Sequence, residues 1–166
     1  MLTGVCLWMY KNVSGKVYIK TFDGFDLYKD GKMVYFSSAK AKELLAFLVD
    51  RKGRFVPLSQ LAENLFENEK DIRKAKRLVH TAFNRLTKTL KSYEIEDILK
   101  RGRGIYAVDC SRILCDSYEM EARTEGSSNF FLGEYMPEYS WAEVTLSNLL
   151  RKYYDENQLP EHEGDS

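Results

Sequence analysis

The spacing of hydrophobic positions near the start of the chain is that of short strands. Apolar runs over 16–22, 25–28 and 33–36 are separated by Asp23-Gly24 and by the polar stretch 29–32. Asp-Gly pairs between apolar runs are typical of tight turns. The pattern therefore predicts a small antiparallel meander.

After Ser37 the hydrophobic period changes to that of α-helices, and three helices are predicted, over 38–51, 58–66 and 70–93. Ser38 is a suitable cap for the first helix. Pro57 stands where the second helix begins. The third helix is the longest, and its apolar positions fall on one face at spacings of three and four: Ile72, Ala75, Val79, Ala82, Phe83, Leu86 and Leu90.

A basic stretch, Lys100-Arg101-Gly102-Arg103-Gly104, then separates two short apolar runs, which predicts a β-hairpin. The fold class expected from this order is α+β: a winged helix-turn-helix over 16–109. It consists of an N-terminal antiparallel sheet, three helices and a C-terminal β-hairpin wing.

The remaining chain is expected to be a short helical extension over 110–157. Ser140-Trp141-Ala142-Glu143 matches a capping box. The apolar stripe that follows, at Leu146, Leu149, Leu150 and Tyr153, is expected to pack back onto the domain. Residues 1–15 give no clear pattern, and the acidic tail 158–166 is expected to be disordered.

Composition restricts the class of protein. Of the 166 residues 44% are apolar and 30% charged, which is typical of a globular domain. No apolar run approaches the roughly 20 residues that span a bilayer, and the first ten residues lack the features of a secretion signal. We therefore expect a cytoplasmic protein without a membrane partner.

Cysteine and histidine are scarce. Cys6, Cys110 and Cys115 are too few for a disulfide scaffold, and neither His80 nor His162 completes a zinc-ligand spacing. Reduced thiols that pack as small apolar groups are expected, with no metal and no cofactor.

The formal net charge is zero, but the charges are segregated. The stretch 70–103 carries 11 basic and 4 acidic residues, a net charge of +7, whereas 104–166 carries 4 basic and 13 acidic residues, a net charge of −9. A basic block of this length is a candidate contact surface for phosphates. A solvated helix face is the alternative interpretation.

The third helix favours the interpretation as a nucleic-acid-binding surface, because its polar side chains lie opposite its apolar face. They follow one another at spacings of three and four: Arg73, Arg77, Thr81, Asn84 and Lys88, with Arg85 beside them. Arg and Lys suit guanine edges and phosphates, Asn can pair with adenine, and Thr can contact a thymine methyl group. The sequence predicts a recognition helix in a DNA major groove.

The wing strengthens this prediction, since Arg101 and Arg103 flank Gly102 at its tip, where arginines can enter the minor groove or bind phosphates. Lys40 of the first helix completes the set of predicted DNA contacts.

The stretch 17–108 resembles the OmpR-type winged helix found at the head of SARP-like bacterial transcriptional activators. The matching pieces are Phe22-Asp23-Gly24-Phe25-Asp26-Leu27, Asp30-Gly31-Lys32, Ser38–Leu48, Leu61–Phe66, Asn84–Leu90 and Gly102–Tyr106. The piece 131–143 resembles the start of the helical activation domain that follows in that family.

The resemblance implies a regulator of transcription, related to the effector regions of two-component response regulators. It implies that 70–93 is the recognition helix, that the loop 66–70 faces RNA polymerase, and that copies bind in tandem on DNA. Two positions depart from the family: Pro57 removes a helix cap, and Thr87 stands where an Arg often contacts phosphate.

The sequence also bears on three other classes of protein. A winged helix can instead be a protein-interaction module that docks RNA polymerase or a partner regulator. An enzyme is not expected, because the chain has no phosphate-cradling glycine loop and no convincing nucleophile–base pair. RNA binding is disfavoured because the strands lack a pair of surface aromatic residues for base stacking.

Overall fold

A computed structural model of the chain describes residues 17–157. The predictions for 1–15 and 158–166 lie outside the described residues. The molecule is built from two small sheets with three helices between them and a C-terminal extension. The α+β winged helix-turn-helix predicted from the sequence is confirmed.

The N-terminal sheet contains the predicted meander: β1 (Val17–Lys20), β2 (Asp26–Lys29) and β3 (Lys32–Met33). Asp30 and Gly31 join β2 to β3 with φ angles of 49° and 75°. Positive φ at both residues is what a two-residue hairpin turn requires, and Asp and Gly tolerate it.

The sheet is not purely antiparallel, which corrects the expectation from the sequence. A fourth strand, β7 (Ile113–Cys115), pairs with β1 in parallel, so that Val17 lies opposite Ile113. This strand comes from the extension. Its three residues give no alternating pattern, and its partner lies about a hundred positions earlier in the chain.

The three predicted helices are present: α1 (Ala39–Asp50), α2 (Leu58–Leu65) and α3 (Ile72–Ser92). Ser38 caps α1 by accepting a hydrogen bond from Ala41 N at 3.2 Å. The long helix starts at Ile72 instead of Lys70, because the Asp71 carboxylate accepts from the backbone N–H groups of Arg73 and Lys74.

A second sheet of three strands forms the wing, in the order β4-β6-β5. It comprises β4 (Val56–Pro57), β5 (Leu99–Gly102) and β6 (Ile105–Val108), which are all antiparallel. The strand β4, directly ahead of α2, ties the start of that helix to the wing.

The extension continues through a 3-10 turn (Cys110–Arg112), β7, α4 (Asp116–Glu121), a 3-10 turn (Ser127–Phe130) and α5 (Glu143–Asn157). The predicted capping box is wrong, because Ser140 begins a separate 3-10 turn (Ser140–Ala142) ahead of α5. The predicted stripe does pack back: Leu149 is 1% exposed, and Leu146, Leu150 and Tyr153 pack against the same core.

Extension and winged helix share one hydrophobic core, which runs from Val17 in β1 to Leu149 in α5. A buried carboxylate joins them. Asp116 accepts hydrogen bonds from the backbone N–H groups of Thr21, Phe22 and Ser117 at 2.7–3.0 Å. These bonds fix the start of α4 against the end of β1.

Cys110 and Cys115 are free thiols. Burial raises the pKa of both, and Cys115 is fully enclosed. Within residues 17–157 no helix is long and apolar enough to cross a membrane.

Candidate nucleic-acid interface

The helix α3 has two faces of opposite character. Its buried face packs on α1 and α2 through Ala75, Val79, Ala82, Phe83, Leu86 and Leu90. The predicted contact residues all lie on the other side and are all exposed: Arg73, Arg77, Thr81, Asn84, Arg85 and Lys88. The structure therefore brings these six together on one face of one helix.

Acidic side chains of residues 17–157 do not neutralise the cations on this face. In the described part of the chain Arg73, Arg77, Arg85 and Lys88 form no salt bridge. The neighbouring Lys74, which is not among the predicted DNA contacts, forms a salt bridge with Glu69 at 2.9 Å. An unpaired row of cations on a rigid helix is electrostatically complementary to a polyanion.

The two uncharged members retain hydrogen-bonding capacity. The side-chain amide of Asn84 has no protein partner among residues 17–157, so both its donor and its acceptor face outward. Thr81 donates its hydroxyl proton to Arg77 O at 3.2 Å, which leaves the oxygen lone pairs and the methyl group available. An amide with both functions free can make the paired contact that adenine offers in a major groove.

The two wing arginines occupy different positions, although both are exposed. Arg101 is held against α3: its guanidinium lies over the Phe83 ring, 5.5 Å from the centroid, and over the Tyr106 ring, 5.8 Å from its centroid. Arg103 lies at the tip, beside Gly104 with a φ of 67°, and has no partner in the described residues.

A contact that the sequence did not indicate sets the wing beside α3. The Phe83 and Tyr106 rings pack with their centroids 4.7 Å apart, and the Tyr106 hydroxyl lies 3.4 Å from His80 Nδ1. The feature of the sequence that could have indicated this contact is Tyr106, an aromatic residue on the inner face of the second wing strand. The wing therefore flanks the Arg73–Asn84 edge of the recognition face.

The wing is also attached to α2. Leu58 N, at the first turn of α2, donates to Gly104 O at 3.0 Å. Pro57 makes no side-chain capping bond, so a wing carbonyl satisfies the N–H group that begins the helix. The cap that Pro57 cannot provide is thus compensated locally.

Lys40 is placed differently from the other predicted contacts. Its ammonium group pairs with Glu43 at 2.8 Å, donates to Leu65 O at 2.5 Å and lies 5.1 Å from the centroid of the Phe66 ring. These contacts connect α1 to the end of α2. DNA binding by Lys40 stays a prediction, and the structure gives its ammonium group intramolecular partners.

The loop predicted to face RNA polymerase follows α2. Glu67, Asn68 and Lys70 are exposed, whereas Phe66 packs under Lys40. Glu43 joins this region to the extension, because it also accepts a hydrogen bond from Trp141 Nε1 at 3.1 Å. Thr87, where the sequence resemblance leads to the expectation of an arginine, donates to Phe83 O at 2.9 Å.

Among residues 17–157 no group of three or more His, Cys, Asp or Glu side chains is arranged to hold a metal ion. What the α3 face and the wing offer chemically is a rigid row of unpaired cations, one free amide and an arginine-bearing tip.

Comparison with known proteins supports the fold. No family model matches the chain, and no curated protein is similar to it in sequence. Among solved structures it is similar to EmbR of Mycobacterium tuberculosis, determined in complex with a low-affinity phosphopeptide. The TM-score is 0.61 at 18% sequence identity, over 84% of this chain and 43% of the EmbR chain. The chain thus spans less than half of EmbR, and the likeness shows a shared fold.

Proposed function

We propose that the chain binds double-stranded DNA in a sequence-specific manner and regulates transcription. The recognition helix α3 enters the major groove, and the wing contacts the minor groove or the backbone. One observation carries this proposal: the six polar side chains that the sequence predicts as DNA contacts lie exposed on one helix face, and the four cations among them have no acidic partner within residues 17–157.

The geometry of α3 suits this role. A major groove is about 12 Å wide and admits one helix with its side chains. The α3 face presents Arg77 and Asn84 about two helical turns apart on the same side of the helix, where both can reach base edges. Because the wing packs against the neighbouring flank, Arg103 reaches the duplex beside the inserted helix.

The remaining parts of the proposal rest on resemblance. The shared fold with EmbR and the sequence pieces in common with OmpR-type and SARP-like proteins support a bacterial transcription regulator in the cytoplasm. Contact of the loop 66–70 with RNA polymerase, and tandem binding of two copies on DNA, belong to the same proposal. The proposal also includes that the chain has no enzymatic activity.

The salt dependence of duplex binding tests the proposal. If α3 and the wing neutralise about five phosphates, the affinity for duplex DNA falls about 10²- to 10³-fold between about 50 and about 200 mM salt. Arg77→Glu is expected to reduce this dependence of the affinity on salt concentration. Lys152→Glu, at an exposed position on α5, is expected to leave it unchanged. Absent or salt-insensitive duplex binding contradicts the proposal and favours a protein-interaction module.

A further inference from the structure

A second polar surface adjoins α3 on the flank away from the wing. It is a groove formed by Tyr35, Ser37, Ser38, Arg85, Lys88 and Ser92, together with Thr89 and Tyr93. We call it the Ser37 groove. We propose that it binds a backbone phosphate of the DNA strand opposite to the one that the wing contacts. The proposal rests on the proposed DNA binding and adds to it a second point of attachment.

The chemistry of the groove is that of an anion site. None of its lining residues is acidic, and the two cations, Arg85 and Lys88, have no salt-bridge partner in the described chain. The carbonyl end of α3, which would repel an anion, is covered because Lys29 donates through Nζ to Tyr93 O.

The hydroxyl groups in the groove are arranged as donors. Ser38 Oγ accepts from Ala41 N, and Tyr93 Oη accepts from Tyr35 N at 3.1 Å, so each of these two oxygens keeps its own proton for another acceptor. Ser37 and Tyr35, the latter 76% exposed, make no side-chain hydrogen bond in the described residues. Several free O–H donors beside two free cations match the oxygens of a phosphate group.

The position of the groove identifies the phosphate as one of a duplex. His80, which contacts the wing, and Arg85, which lines the groove, are five positions apart, or about 140° around an α-helix. A helix that fills a major groove has one phosphate backbone on each flank. The wing therefore meets one strand, and the Ser37 groove meets the other.

The test uses charge changes at Ser37, which is exposed, with Ser147 on α5 as a matched control of the same residue type outside the groove. Affinities are measured for a duplex that carries single uncharged methylphosphonates at successive positions. The wild-type chain is expected to lose affinity when one phosphate on the strand away from the wing is neutralised. Ser37→Glu lowers the affinity for the unmodified duplex about tenfold at low salt and removes that positional effect.

The opposite change gives an independent readout, because Ser37→Arg is expected to tighten binding while Ser147→Arg and Ser147→Glu leave it within about twofold. If the Ser37 and Ser147 variants bind alike while the wild type binds duplex DNA, the groove proposal is overturned and the proposed function stands. If the wild-type chain binds no duplex DNA, the proposed function itself is contradicted, and the groove proposal, which rests on it, falls with it.

Titration with inorganic phosphate alone separates the two sources of the anion. Amide shifts at Ser37 and Arg85 on adding phosphate, combined with equal duplex affinity of Ser37→Glu and wild type, indicate a site for free phosphate and overturn the DNA assignment. A lower duplex affinity of Ser37→Glu than of the wild type supports the assignment of the groove to a DNA phosphate.

Discussion

Two arginines that are neighbours in the wing contribute in different ways. Arg101 lies over the rings of Phe83 and Tyr106, so its guanidinium fixes the wing to α3. Arg103 at the tip has no such contact in the described part of the chain. From the sequence alone the two flank a glycine and are equivalent, since the distinction depends on rings contributed by α3 and β6.

This difference gives a prediction for single substitutions. Arg101→Ala is expected to lower the free energy of unfolding by about 0.5–1 kcal/mol through loss of the cation–π contacts, and to weaken DNA binding. Arg103→Ala weakens binding to many sequences evenly and leaves stability unchanged. Urea unfolding and duplex titration of both variants check this. Equal stability of the two variants contradicts the assignment of Arg101.

At the level of elements, the start of α3 depends on one carboxylate. Asp71 accepts from Arg73 N at 2.9 Å and from Lys74 N at 3.4 Å, and its negative charge faces the positive end of the helix. Asp71→Ala is therefore expected to cost about 1 kcal/mol and to fray the first turn, which carries Arg73. Asp71→Asn, which retains an accepting oxygen, is the control. Unchanged amide exchange at the first turn of α3 in the alanine variant contradicts this role.

The elements also show which features a sequence can predict. The helices, the first hairpin and the wing were predicted because caps, Asp-Gly turns and apolar spacing are local. The strand β7 is not predictable in this way, because its pairing with β1 is distant in sequence and only three residues long. The polar face of α3 is predictable, since it follows from helical spacing, whereas the Ser37 groove combines residues of two segments that are distant in sequence, 35–38 and 85–93, and has no local pattern.

For the whole molecule, the extension is a structural part of the winged helix. Asp50 at the end of α1 accepts hydrogen bonds from Tyr135 Oη at 2.9 Å and from Thr145 Oγ1 at 2.7 Å. The Trp141 ring packs edge-on against Phe47, with centroids 5.0 Å apart. The acidic part of the chain is thereby fixed to the core on which α3 also packs.

Tyr135→Phe tests this coupling. The variant removes one buried hydrogen bond, which is expected to cost about 1–2 kcal/mol, and to lower the hydrogen-exchange protection of α3 as much as that of α5. Tyr154→Phe, at a position that is 63% exposed, serves as the control and leaves both unchanged. Loss of protection confined to α5 would show that the extension unfolds independently of the winged helix.

The central claim, sequence-specific duplex binding through the α3 face, is tested most directly by selection from a random duplex pool. The wild-type chain is expected to enrich a defined sequence. Asn84→Ala is expected to lose discrimination at one base position, worth about 1–3 kcal/mol, while keeping the rest of the preference. Recovery of no enriched sequence by the wild type, or an identical preference in the Asn84→Ala variant, contradicts the claim.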